Sequence, residues 1–81
     1  MNKLSGGERR TARQRRVDWL LQHQKLWHGW PNEREHVNLE RWERIAEAMR
    51  AAGLVASRTN WYDVRVPGLI AEARRQRRAR L

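Results

Sequence analysis

The chain has 81 residues, with 18 Lys or Arg against 9 Asp or Glu, a net charge of +9 and a pI near 11.7. It has no Cys, which excludes a disulfide scaffold, a cysteine nucleophile and a cysteine-based zinc site. No run approaches the ~18 apolar residues that span a bilayer, and the opening MNKLSGGERR lacks the apolar core of a secretory signal. The expectation is one small soluble cytoplasmic domain whose core is marginal for its length and is reinforced by five Trp.

The charge is segregated. Residues 1–16 hold six basic side chains and Glu8, and residues 58–81 hold seven basic and two acidic ones. The intervening body is near neutral and rich in Trp. Sixteen of the 18 basic residues are Arg, which makes bidentate contacts to phosphate and to guanine edges where Lys acts as a point charge. Clusters of this kind are the electrostatic footprint of nucleic-acid binders.

Residues 1–10, with Ser5-Gly6-Gly7 and few apolar groups, read as a flexible basic arm. Thr11 and Gln14 form a capping-box signal for a helix over residues 12–28, closed by Gly29 and Pro31. On that helix Val17, Trp19, Leu20, Leu21, Leu26 and Trp27 cover more than half the circumference. Such a wide arc predicts cover from two sides, by the C-terminal helix or by a second subunit. Residues 30–37 read as a polar connection. Asn38 caps a second helix over 39–52, with Leu39, Trp42, Ile45, Ala46 and Met49 at helical spacing and Gly53 at its end.

Beyond Gly53, the alternation of Tyr62, Val64 and Val66 with Trp61, Asp63 and Arg65 predicts a strand. With Leu54-Val55-Ala56 and a turn at Thr59-Asn60, residues 54–66 read as a β-hairpin. Pro67 starts a last helix, whose apolar stripe (Leu69, Ile70, Ala73) gives way to an Arg-rich tail over 74–81. The folded domain is therefore expected over 11–73. Its fold class is expected to be α+β and mostly helical, with two main helices, a hairpin and a C-terminal helix.

The stretch from Arg44 to Val55, with its helix–Gly53–Leu54–Val55 step into a hairpin, resembles the winged helix-turn-helix class of DNA-binding domains. The helix that precedes the recognition helix in that class is reduced here to residues 31–37. The resemblance implies a recognition helix over 39–52 with Arg41 and Arg44 as readers of base edges. It makes the hairpin a wing with Arg58 at its tip, and Thr59, Asn60 and Arg65 on phosphates. Arg9, Arg10 and Arg13, with Arg74, Arg75, Arg77 and Arg78, would track the backbone on either side. Against this stand Glu40, Glu43 and Glu47, which put carboxylates on the approaching face.

The first functional reading is a small DNA-binding regulator of transcription or recombination, of phage or mobile-element type, acting on double-stranded DNA by occupancy or bending. A homodimer would cover the second apolar side of the first helix and match two half-sites. The alternative is a protein-interaction module that contacts a nucleic-acid-processing partner through Trp19, Leu26 and Trp61, its Arg-rich ends adding non-specific affinity. Trp61, opposite the apolar side of the expected strand, is also placed to stack on an unpaired base. His23, His28 and His36 have no ligand spacing, so no metal or other cofactor is expected. No nucleophile–base pair or phosphate-binding loop points to an enzyme.

Overall fold

The computed structural model describes residues 11–30 and 39–79. It holds α1 (Ala12–Gln22), a 3-10 turn (Gln24–Leu26), α2 (Leu39–Ala51), the single-turn α3 (Trp61–Val64) and α4 (Val66–Ala79). No strand occurs among the described residues. The α+β expectation is therefore overturned: the domain is all-helical over these residues and residues 54–66 form no wing. No helix among the described residues is long and apolar enough to cross a membrane. The expected basic arm over 1–10, with Arg9 and Arg10, lies outside the described residues, as do the connection over 31–37 and the Asn38 cap.

Thr11 caps α1 as its sequence predicts, its Oγ1 accepting the Gln14 N–H at 3.0 Å. The helix stops at Gln22, short of the expected end. Its last carbonyls are taken by side chains: His23 Nδ1 donates to Trp19 O at 2.7 Å, Gln24 Nε2 to Leu21 O at 3.0 Å and the Trp27 indole to Leu20 O at 2.9 Å. Leu26 and Trp27 thus leave the helix, which narrows the apolar arc that suggested two covers. Trp27 becomes fully buried.

α2 ends in a Schellman motif, with Gly53 N–H donating to Arg50 O at 3.1 Å and Leu54 N–H to Met49 O at 2.9 Å. Gly53 supplies the required positive φ of 77°. Trp42, Ile45, Ala46 and Met49 face the core, as their spacing predicts, whereas Leu39 of the same stripe is exposed.

The hairpin reading fails at Asn60. Its Oδ1 accepts the Asp63 N–H at 2.9 Å and so caps a helical turn. Arg65 then adopts the left-handed conformation (φ 65°), its N–H shared between Trp61 O at 2.9 Å and Tyr62 O at 3.1 Å. This one left-handed residue bends the chain between α3 and α4, so that Val64 and Val66 both enter the core. The two-residue spacing that mimics a strand comes from this bend.

The helices close over one core of Val17, Leu20, Trp27, Trp42, Ile45, Met49, Val64, Val66, Leu69 and Ile70 with two alanines. α1 packs along α4, and α2 packs on α3 and α4. Gln14 and Gln76 exchange amide hydrogen bonds at 3.0 and 3.1 Å across the α1–α4 contact. Arg74 and Arg77 of α4 both reach the Trp27 ring, with guanidinium carbons 5.7 and 5.4 Å from its centroid. Glu43 clamps α2 to α3. One oxygen takes Arg50 Nη2 at 2.7 Å and the other takes the Trp61 N–H at 3.2 Å, while Arg50 also donates to Thr59 O.

These contacts set three stability outcomes. Trp27→Phe removes the indole donor and part of the ring, and is expected to cost about 1–2 kcal/mol in urea unfolding. Arg65→Gly relieves a left-handed cost of ~1–2 kcal/mol but adds the entropy that glycine loses on folding, so a net gain of about 0.5–1 kcal/mol is expected, read as a higher unfolding midpoint. Glu43 is held below the usual carboxylate range, first by its hydrogen bond from Arg50 and then by the Trp61 N–H. A depressed folded pKa gives stability that is present above the unfolded value of about 4.3 and lost as pH falls through the folded one. The Glu43 side chain is 42% exposed, so Glu43→Gln should cost about 1 kcal/mol or less at neutral pH. That deficit should shrink as unfolding is repeated below about pH 4; a pH-independent deficit would assign it to shape, not charge.

Candidate nucleic-acid interface

The α3–α4 bend carries two adjoining surface depressions. One, of about 500 Å³, is lined by Trp61, Tyr62, Asp63, Arg65, Pro67 and Gly68. The other, of about 400 Å³, is lined by Arg13, Arg16, Asp63, Val64, Arg65, Gly68 and Leu69. Asp63, Arg65 and Gly68 belong to both. The aromatic side is a tilted pair: the Trp61 and Tyr62 rings lie 5.7 Å apart at 53°, Trp61 packs partly buried against the core, and Tyr62 is 65% exposed. Its backbone is fixed from α2 by the Glu43–Trp61 hydrogen bond.

The second depression is basic because α1 lies along α4. Arg13 and Arg16 stand one turn apart on α1, and the packing brings them beside Arg65, which is distant in sequence. Arg16 is held by its Nε, which donates to Leu54 O at 3.2 Å; a guanidinium has five N–H donors, so this leaves four. Asp63 is the one carboxylate in the lining, against three guanidinium groups. Arg13 also contributes its charge to Glu72, which is held below the usual carboxylate range mainly by hydrogen bonds from Gln76 and Arg75. The cleft is thus a place where an anion with several acceptor oxygens meets a net positive wall.

The residues expected to bind DNA are dispersed by the fold. Arg65 lines one depression with Trp61 and the adjoining one with Arg13. Arg41 stacks over Trp30 at 5.4 Å, and Arg44 lies 3.7 Å from Glu40. The exposed face of α2, with Glu40, Arg44 and Glu47, therefore carries two carboxylates to one guanidinium. Arg58 is exposed in the turn before α3, but that turn is not a wing tip. Thr59 gives its carbonyl to Arg50, and Asn60 spends its side chain on the α3 cap. Arg74 donates to Trp30 O at 2.7 Å and Arg77 to Gln24 Oε1 at 3.0 Å, both beside Trp27. Arg75 pairs with Glu72, and Arg78 is exposed.

Of the residues expected to meet a protein partner, Trp19 stacks on His23 at 4.2 Å and Leu26 is 40% exposed. Leu26 lies in a separate depression over residues 21–26, of about 590 Å³. No group of three or more metal-binding side chains occurs among the described residues.

Arg16, Tyr62, Asp63 and Gly68 are among the site residues that sequence reading missed. The signal for Arg16 is the Arg13-x-x-Arg16 spacing on a capped helix, and that for the bend is Asn60-x-x-Asp63, an N-cap pattern that brackets two aromatics. No protein-family model matches the chain, and neither a curated protein nor a solved structure does.

Proposed function

We propose that this is a small all-helical nucleic-acid-binding domain that holds phosphate groups in the Arg13–Arg16–Arg65 cleft and acts by occupancy, not chemistry. One observation carries the reading: three arginines from two distant segments converge on one depression against a single carboxylate. Arginine–phosphate pairing of this kind dominates the affinity of nucleic-acid binders and makes it salt-dependent. A role in regulating transcription or recombination is compatible with binding by occupancy, and the basic ends of the chain would add sequence-independent attraction. Groove reading by α2 is not part of the proposal, because its exposed face is acidic on balance.

A protein-contact role has one observation in its favour, the partly apolar depression at Leu21–Leu26. Leu26→Glu is the probe that separates it: a lost protein partner with unchanged nucleic-acid affinity would point there.

The main test compares two triple variants of equal charge. Arg13→Gln, Arg16→Gln and Arg65→Gln together strip the cleft of its guanidinium groups; Arg44→Gln, Arg58→Gln and Arg78→Gln together remove the same charge elsewhere. Every arginine that neutralises a phosphate contributes roughly 0.9 to the salt slope on duplex DNA. The cleft triple is therefore expected to lower that slope by about 2–3 in fluorescence anisotropy titrations, and the control triple by about 1 or less. Equal reductions in the two variants would leave only overall charge, and the cleft would have no special role.

A further inference from the structure

We propose that the bend binds an unpaired nucleotide, its base stacked on the exposed Tyr62 ring beside Trp61 and its phosphate in the arginine cleft. The preferred ligand is then single-stranded nucleic acid. This rests on the phosphate-binding reading above and adds the base.

Two residues at this place each break the local preference of their position, in opposite senses. Arg65 is the one non-glycine residue with positive φ among the described residues, at a spot where glycine would be unstrained. Gly68 lies in the first turn of α4 with no positive φ, and a Cβ built on it would meet nothing within 4 Å. Neither backbone nor packing there calls for glycine, and a helix-favouring residue would fit. Both residues line both depressions. The effect of the pair is to put a guanidinium at the junction and to leave the floor beside it open. Departures from local preference that coincide in this way mark functional surfaces.

The chemistry of the two halves matches the two halves of a nucleotide. A base offers a flat face to one aromatic ring, and the 65% exposure of Tyr62 leaves that ring available to it, with Trp61 inclined at 53° alongside. A phosphate offers several acceptors to Arg13, Arg16 and Arg65. Because the depressions share Arg65 and Gly68, one nucleotide can occupy both. A duplex keeps its base faces stacked inside and meets only the arginine half. Stacking therefore adds to single-strand binding alone, by about 5- to 150-fold per base.

The experiment uses the full chain, a fluorescein-labelled ten-nucleotide oligo-dT and a ten-base-pair duplex, with anisotropy read at one fixed salt concentration. The expected result is tighter binding of oligo-dT. Tyr62→Ala should weaken oligo-dT binding about 5-fold or more and leave duplex binding within about 2-fold. Gly68→Met, which fills the shared floor, should weaken oligo-dT binding too. Asp63→Asn should tighten binding to both probes, a gain that loss of folding cannot produce. If oligo-dT and duplex bind alike and Tyr62→Ala changes neither, while the cleft triple still weakens both, base stacking is overturned and phosphate binding stands. If neither Tyr62→Ala nor the cleft triple has an effect beyond that of the equal-charge control, both proposals fall.

Discussion

The burial of Trp27 is the interaction on which the arrangement depends. Its indole N–H closes the end of α1 on Leu20 O, while its ring receives Arg74 and Arg77 from α4. A domain of this length has about 4–12 kcal/mol of net stability, and truncating a buried Trp to Ala costs about 3–5 kcal/mol. One side chain thus accounts for a large share of what holds α1 against α4. The same packing sets Arg13 and Arg16 beside Arg65. The site is a product of helix–helix docking and exists in no single segment of the chain.

Arginine has two kinds of role here, and the balance differs from what composition suggests. Arg41, Arg50, Arg74 and Arg77 are committed to Trp rings, carbonyls or Glu43. A guanidinium is planar, weakly hydrated and rich in donors, so it serves in a Trp-rich core margin where an ammonium would be stripped of its water. Counting positive charge therefore overstates the basic surface available to a ligand. The basic cleft draws instead on α1 and on the bend.

Much of α2 could be read directly, because Trp42, Ile45, Ala46 and Met49 share one face and Gly53 has the one conformation that ends the helix there. The Thr11 cap is equally local. The stretch over 54–66 is not legible by periodicity. Val64 and Val66 are both buried because Arg65 turns the chain between them, and a two-residue spacing does not distinguish that bend from a pleated strand. The winged-helix resemblance rests on the same stretch, and the wing it requires is replaced by α3 and the bend. For the site, the presence of Arg13, Arg65 and Trp61 could be anticipated. The meeting of Arg13 with Arg65 could not, since it follows from the docking of α1 on α4.

The reciprocal amide pair between Gln14 and Gln76 joins α1 to α4, and each amide also donates to a carboxylate of its own helix, Gln14 to Asp18 at 3.0 Å and Gln76 to Glu72 at 2.9 Å. These hydrogen bonds are partly buried, so salt screens them and the apolar packing around them less than it screens exposed charge pairs. The docking of α1 on α4 that forms the cleft is therefore expected to outlast the ionic strength at which a polyanion, if held as proposed, would be released.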